Sequence, residues 1–259
     1  MAKRSRIISL ILSDVVGDAL EAIASGPTVA DTTTFADCRE IIERYGLTNK
    51  IAPVVLSLLD GGARGEFAET PKPSNPIFQN VQNLIVGSNR LALAAAKQEA
   101  EVLGYHAQII SSAIEGESRI VAQSHVALAN SVLQQNQPIS QPACLLSGGE
   151  TTVTVRGDGV GGRNQEFALA AALALDDTMS GLNDVVILSA GTDGTDGPTD
   201  AAGGIVDTTT TRRGELKGLD AQKFLGRNDS YHFLQAIGDL FITGPTLTNI
   251  MDLQIILVN

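Results

Sequence analysis

The sequence contains no tryptophan, only two cysteines and only three histidines in 259 residues. Cys38 and Cys144 lie far apart and form no Cys-x-x-Cys or Cys/His cluster, which argues against a disulfide framework and a structural zinc site. We expect both to be core thiols. No apolar run is long enough to span a membrane. The run Ile7 to Leu12 is too short for a secretory signal and lacks a small-residue cleavage site, so it indicates a buried strand of a cytoplasmic protein.

Basic residues are scarce: 18 Lys and Arg stand against 29 Asp and Glu, which gives a net charge of −11. A surface with this balance repels a phosphate backbone, which argues against nucleic acid as a partner. The composition, 43% hydrophobic and 18% charged, is typical of a folded globular protein. At this length we expect one large α/β domain or two modest ones.

Several catalytic signatures are missing from the sequence. It has no Walker A loop, no G-x-S-x-G nucleophile elbow, no H-E-x-x-H motif and no protein-kinase signature. His106, His125 and His232 are scattered, and we expect structural or surface roles for them. Any phosphoryl transfer would therefore use a scaffold unrelated to these families.

What the sequence does have is 26 glycines, many of them in loops that follow short β-branched runs, with Ala- and Leu-rich segments between. This alternation predicts an α/β fold. Most of the runs are continuously apolar and suit strands covered on both faces, whereas residues 152–155 alternate, which allows a mixed sheet. The predicted strands are 7–12, 83–86, 107–110, 143–146, 152–155, 185–188, 240–242 and 253–258. The predicted helices are 91–103, capped by Ser88 or Asn89, and 165–175, capped by Asn164. Pro138 and Pro142 bracket a polar stretch, and this predicts a domain boundary between 1–138 and 139–259.

Polar, glycine-rich loops follow several of the predicted strands, at residues 13–18, 87–89, 147–151 and 189–197. Ligands of open parallel sheets bind beyond the carboxyl ends of strands, so these loops are expected to converge on one site. Glycine lets a phosphate approach backbone N–H groups, and carboxylates can hold Mg²⁺ that bridges phosphates. Each loop taken alone could be an ordinary turn.

The segment Gly157 to Gly162 matches the dinucleotide-binding pattern G-x-G-x-x-G. The alternating strand before it is unlike the buried first strand of a dinucleotide-binding unit. We favour a different interpretation, in which Gly161, Gly162, Arg163 and Asn164 open a helix and bind a phosphate or carboxylate. The alternative is a glycine-rich turn with a surface arginine.

Acidic and polar residues supply further candidates. Asp193, Asp196 and Asp200 could offer oxygens to Mg²⁺ carried by a nucleotide, although their spacing is not that of an EF-hand. Turn formation explains Asp200 equally well. Asn228-Asp229-Ser230 could cap a helix or reach a ligand.

Taken in order, the loops resemble the class II glycerate kinases, whose members are often named hydroxypyruvate reductases. The resemblance rests on 13–18 with 24–28, 69–73, 147–151, 161–166, 191–197 and 244–249. It implies a partial Rossmann-like parallel-sheet domain over 1–138, followed by a mixed-sheet MOFRL-type domain over 139–259.

The resemblance also implies ATP-dependent, Mg²⁺-assisted phosphorylation of D-glycerate, giving 2-phosphoglycerate, in a cleft between the two domains. The catalytic residues assigned on this basis are Arg163, Asp193 and Asp14, and the metal ligands are Asp193 and Asp196. The substrate- and nucleotide-binding residues are Asp18, Ser25, Thr28, Ser88, Asn89, Gly148, Gly149, Glu150, Thr151, Gly161, Gly162, Asn164 and Thr192.

The family also has an amino-terminal part, with a Gly-Gly-Gly-Ser-type loop and an active-site lysine, that has no counterpart in this sequence. An incomplete first domain would expose apolar surface, so we expect a homodimer or association through that domain. Two alternative functions stay open from the sequence: an NAD(P)H-dependent hydroxypyruvate reductase, and a truncated, non-catalytic module that binds nucleotide or glycerate.

Overall fold

The computed structural model describes residues 5–179 and 185–259, and they form two compact units. The smaller unit comprises the chain up to residue 11 together with residues 19–85, and the larger comprises 12–18 and 86–259. Helices and strands alternate through the chain, and its main sheet is mixed, which confirms the predicted α/β class. The boundary at 138 between two family domains stays a prediction. None of the described helices is long and apolar enough to cross a membrane.

The described elements agree with most of the predicted ones. The strands are β1 Ile7–Leu12, β2 Val81–Gly87, β3 His106–Ile114, β4 Ala143–Gly149, β5 Val185–Gly191, β6 Gly203–Asp207, β7 Leu240–Phe241 and β8 Asp252–Val258. The helices are α1 Phe35–Arg44, α2 Pro53–Ala63, α3 Asn89–Val102, α4 Ser118–Gln135, α5 Arg163–Met179, α6 Thr210–Glu215, α7 Ala221–Gly226 and α8 Ser230–Ile237.

The smaller unit pairs β1 with β2 and packs α1 against α2. Thr34 and Asp37 form a capping box at the start of α1, and Pro53 occupies the first turn of α2. The ring of Phe35 lies where a Cβ on Gly62 would stand, so the absence of a side chain lets the two helices approach closely. Cys38, on α1, is only half-buried, whereas Cys144 lies in the core as expected.

The larger unit is built on a six-stranded sheet of order β3-β4-β8-β5-β6-β7. β8 is the last strand in the sequence, yet it lies between β4 and β5 and is antiparallel to both. The carboxyl ends of β4 and β5 therefore meet the amino end of β8 at one edge of the sheet. This is the edge at which the sequence predicts a ligand site.

Residues that lie directly opposite one another on neighbouring strands have their side chains on the same face of the sheet. On the face covered by α4 and α5, the residues paired across β4, β8 and β5 therefore form four rows of side chains. Two apolar rows belong to the main core, and the last two rows are polar. From the core outward they are Ala143–Val258–Val185, Leu145–Ile256–Ile187, Ser147–Gln254–Ser189 and Gly149–Asp252–Gly191. α3 packs on the other face, against residues such as Leu146.

Two predicted local structures are wrong. Residues 152–155 do not form a strand of the sheet: the Glu117 carboxylate accepts hydrogen bonds from the backbone N–H and hydroxyl of Thr154, which draws the segment along the start of α4. Asn164 does not cap α5, because it lies inside the helix. In addition, the glycine-rich strand β6 was not among the predicted strands.

Candidate functional site

The centre of the site is Asp252, in the fourth row of the sheet. Its row neighbours on both sides are glycines, Gly149 and Gly191, and its side chain is fully buried. Arg163 donates two hydrogen bonds to this carboxylate, from Nε at 2.6 Å and from Nη2 at 3.0 Å. Such a bidentate pair fixes the orientation of both groups. The sequence analysis missed Asp252, although a lone acid at the start of an apolar strand was a usable signal.

Arg163 is the first residue of α5, and a third of its side chain is exposed. Its Nη1 lies 2.8 Å from Oε1 of Glu150, which is half-exposed. Burial acts to lower the pKa of Arg163, but the hydrogen bond and charge of Asp252, together with the charges of Glu150 and Asp196, outweigh it and the pKa is raised. The guanidinium thus stays charged and faces two carboxylates.

The beginning of α5 holds an internal anion. Both carboxylate oxygens of Asp196 accept backbone hydrogen bonds there, from Asn164 N at 3.1 Å and from Gln165 N at 2.8 Å. The sequence predicted a ligand anion at these donors, whereas in the structure Asp196 occupies them. Burial raises the pKa of Asp196 to about 6, the charge of Asp252 adds to this, and the backbone hydrogen bonds partly offset it.

The loop after β5 is tied to the segment before β8. Thr192 donates from its backbone N and its hydroxyl to the carbonyl of Met251, at 3.0 and 2.6 Å. Asp193 is half-buried and accepts hydrogen bonds from the backbone N and hydroxyl of Thr195. Its carboxylate is therefore held in place at the edge of the sheet.

Four other predicted binding residues lie at the same edge, where they join elements together. Ser88 caps α3, and Asn89 donates to the carbonyls of Ile250 and Asp252, at 3.0 and 2.8 Å. Gly148 faces the Asn89 amide so closely that a Cβ would overlap it. The buried Thr151 hydroxyl hydrogen-bonds Ser118, at the start of α4, at 2.7 Å.

A cavity of about 650 Å³ opens beside Arg163. Four of its lining side chains are carboxylates and one is a guanidinium, so most of the charged groups in its walls are acidic. The predicted site residues among those that line it are Glu150, Thr151, Gly161, Gly162, Arg163, Asp193 and Asp196.

The remaining predicted residues are Ser25 and Thr28, in the smaller unit, and Asp14 and Asp18, in the larger. Ser25 and Thr28 line a cavity of about 320 Å³ within the smaller unit. Asp14 is exposed and Asp18 is half-buried. Within the described parts of the chain, no hydrogen bond or ion pair joins either aspartate to Arg163.

The glycine-rich loop at 157–162 packs against the turn between α7 and α8. Asn228 Oδ1 accepts from the backbone N of Arg156 and of Gly157, and Asp229 Oδ1 accepts from the backbone N of Val160. A Cβ on Gly157 would lie 2.3 Å from the carbonyl oxygen of Arg227. The loop donors are thus used inside the protein, which argues against the dinucleotide-binding alternative. Asn228 and Asp229 hold this loop.

Glu166, in the first turn of α5, was also missed by the sequence analysis. It is almost fully buried and accepts hydrogen bonds from Arg119, at 2.6 Å, and from Asn228 Nδ2, at 2.8 Å. This ion pair links α4, α5 and the turn that holds the glycine-rich loop.

The carboxylates do not form a closed metal cage. Among the residues described, no three or more His, Cys, Asp or Glu side chains converge in a way that could hold an ion. Mg²⁺ commonly keeps several waters and binds one or two carboxylates plus substrate phosphates. The half-buried Asp193, which lines the cavity, fits such a role better than Asp196, whose carboxylate is almost fully buried and accepts a backbone hydrogen bond on each oxygen.

Known proteins resemble this chain along nearly its whole length. The MOFRL family model matches residues 143–252, and a domain of unknown function, DUF4147, matches residues 1–60. A glycerate 2-kinase from Pyrococcus horikoshii is 44% identical over 97% of this chain and 56% of its own length. A glycerate kinase from Macaca fascicularis is 39% identical over 97% of this chain and 72% of its own length. The chain aligns with a crystal structure of glycerate kinase from Thermotoga maritima at a TM-score of 0.87 and 41% identity, over 99% of this chain and 58% of the other. The chain thus spans little more than half of the Pyrococcus and Thermotoga proteins.

Proposed function

Since the chain belongs to the glycerate kinase family, we propose that it phosphorylates D-glycerate with ATP, at the cavity beside Arg163. The bond between the γ-phosphorus of ATP and the β–γ bridging oxygen breaks, and a bond from the γ-phosphorus to a glycerate hydroxyl oxygen forms. ADP leaves with the bridging oxygen, and the hydroxyl proton passes to the solvent. The name of the Pyrococcus relative supports the 2-hydroxyl as the acceptor.

The observation that carries the proposal is the arrangement of Arg163. Asp252 holds its Nε and Nη2, and Nη1 lies beside the half-exposed Glu150. A substrate carboxylate or a phosphoryl group that replaces Glu150 would meet a guanidinium that is already oriented and always charged. Fixed positive charge at this position stabilises the negative charge of phosphoryl transfer.

Mg²⁺ would reach the site together with the nucleotide. The Asp193 carboxylate would hold it from the protein side, and the phosphate oxygens and water would complete its shell. The ion would neutralise charge on the phosphates. The carboxylates of Asp14 and Asp18 and the hydroxyls of Ser25 and Thr28 are assigned to the reaction from the sequence resemblance alone.

Phosphorus NMR on the purified chain with MgATP and D-glycerate tests the proposal. We expect ADP and a phosphoglycerate resonance, split by one methine proton for the 2-phosphate and by two methylene protons for the 3-phosphate. Unchanged ATP in a folded sample would contradict the proposal. Oxidation of NADH by hydroxypyruvate in a parallel sample would support the reductase alternative instead.

A further inference from the structure

The third row of the sheet is polar, although it lies inside the protein. Ser147, Gln254 and Ser189 stand side by side on β4, β8 and β5, and each is at most 1% exposed. The row separates the apolar core from the charged fourth row. Polar groups at such depth are costly unless they form hydrogen bonds, so their partners define what the row does.

One end of the row is His125, on α4. Its Nδ1 lies 2.9 Å from the carbonyl oxygen of Val121, which can only accept, so Nδ1 carries the hydrogen and Nε2 is an acceptor. The Ser147 hydroxyl, at 2.6 Å, therefore donates to Nε2. Burial lowers the pKa of His125, in agreement with a neutral ring.

The other end of the row reaches the candidate site. The Ser189 hydroxyl donates to Oδ1 of Asn164 at 2.7 Å, and Nδ2 of Asn164 lies 3.3 Å from Oδ1 of Asp196. This fixes the direction of the amide, because the reverse orientation would set its oxygen against the Asp196 carboxylate. Asp196 in turn holds the first turn of α5, which begins with Arg163.

Gln254 joins the two halves. Its Oε1 lies 3.3 Å from the Ser147 oxygen, and its Nε2 lies 3.5 Å from the Ser189 oxygen. Because the Ser189 hydrogen is directed to Asn164, Nε2 of Gln254 is the donor to Ser189. The single hydrogen of Ser147 is directed to His125 at 2.6 Å, and its contact with Oε1 of Gln254 is the longer of its two contacts.

We infer that His125 is a positioning residue of the site, which acts through Ser147, Gln254, Ser189 and Asn164 on Asp196 and the start of α5. The chain of contacts joins α4 to the site across three strands. In the alternative, the row only satisfies the hydrogen bonds of its own members. It would then be equally buried, but a substitution at the His125 end would not affect the residues at the Asn164 end.

Amide NMR of the full chain tests this connection without reference to any reaction. Ser147→Ala removes the hydroxyl that donates to His125, and Ile187→Val makes a similarly small change in the apolar row beneath. We expect Ser147→Ala to shift the amide resonances of Asn164 and Gln165 and the Nε2 resonance of His125, and Ile187→Val to leave the two amides in place. The inference is overturned if the amide resonances of Asn164 and Gln165 do not shift in Ser147→Ala, or if they shift equally in both variants.

Kinetics give a second readout, which rests on the proposed function. His125→Leu removes the acceptor, whereas the amide of His125→Gln can still accept from Ser147. We expect kcat to fall between about twofold and thirtyfold in His125→Leu, with KM for glycerate changed less, and to recover in His125→Gln. Equal kcat in both variants would count against the positioning role. If the unaltered protein forms no phosphoglycerate, the proposed function fails, and the amide shifts alone decide the inference.

Discussion

Asp196 shows how a single residue couples the site to the stability of the fold. Burial raises its pKa from 3.8 to about 6. Between these values the folded protein binds more protons than the unfolded chain, so this residue contributes a free energy of unfolding that falls as the pH rises. The contribution of Asp196 to the free energy of unfolding is fully lost only when the pH exceeds the pKa that Asp196 has in the folded protein. A carboxylate that also caps α5 thus becomes less favourable towards neutral pH.

Asp196→Asn should remove this pH dependence, because the amide does not ionise. From about pH 5 to about pH 7.5, the unaltered protein is expected to lose on the order of 1 kcal/mol of stability that the variant keeps. Urea unfolding in metal-free buffer at both pH values measures the difference. Parallel pH profiles for the two proteins would show that Asp196 keeps an ordinary pKa.

At the scale of the elements, the glycine-rich loop at 157–162 is held by the turn between α7 and α8. Gly157→Ala would place a Cβ 2.3 Å from the carbonyl oxygen of Arg227, so we expect a loss of stability of about 1–3 kcal/mol. Gly226, at the end of α7, is a matched control, because a Cβ there has nothing within 4 Å. Thermal unfolding of Gly157→Ala and Gly226→Ala compares the two positions. Equal stability would mean that the loop is not packed as described.

Most elements were predictable from the sequence because their signals are local. β4 and β8 contain the apolar runs 143–146 and 255–258, and α3 follows a serine that caps it, so apolar runs and capping chemistry located them. Residues 152–155 misled the prediction, because their alternation is typical of a strand. The hydrogen bonds that hold them come from Glu117, far away in the sequence.

The site itself was only partly predictable. The sequence indicated that the loops after β4 and β5 converge, but not that the last strand enters the sheet between them. That insertion places Asp252 between Gly149 and Gly191 and gives Arg163 its partner. It also aligns Gln254 with two serines. Periodicity and composition do not encode the register between strands that are distant in the sequence. The third and fourth rows of the sheet could therefore not be predicted from the sequence.

On the scale of the molecule, the smaller unit carries an apolar surface on its two-stranded sheet. Ile8 is 58% exposed, Leu10 68% and Leu84 40%, and they alternate with half-buried residues on the same strands. Contiguous exposed apolar side chains favour association. The homodimer expected from the sequence remains a prediction, and this face is our candidate for it.

Leu10→Glu should weaken any such association, because it places a charge on the apolar face. Leu216→Glu is the control, since Leu216 is 80% exposed but belongs to the larger unit. Sedimentation velocity over a range of protein concentrations measures the effect. We expect the average sedimentation coefficient of the Leu10 variant to be lower than that of the control. Equal coefficients for the two variants would exclude this face as the site of association.

The central claim for the whole molecule is that glycerate phosphorylation depends on the guanidinium of Arg163, held by Asp252. Arg163→Lys keeps a positive charge beside the buried carboxylate, so the fold is not left with an unpaired charge. It loses the two-point hydrogen bond. Arg227→Lys makes the same substitution in an exposed pair with Asp158, where such pairs contribute little.

The decisive measurement is kcat/KM for glycerate in the unaltered protein and in these two variants, with unfolding curves to show that each is folded. We predict a fall of about 10- to 150-fold for Arg163→Lys, which corresponds to roughly 1.5–3 kcal/mol of charge-assisted hydrogen bonding. We predict a change within about twofold for Arg227→Lys. Equal kcat/KM in all three proteins would place the reaction away from Arg163 and contradict the account.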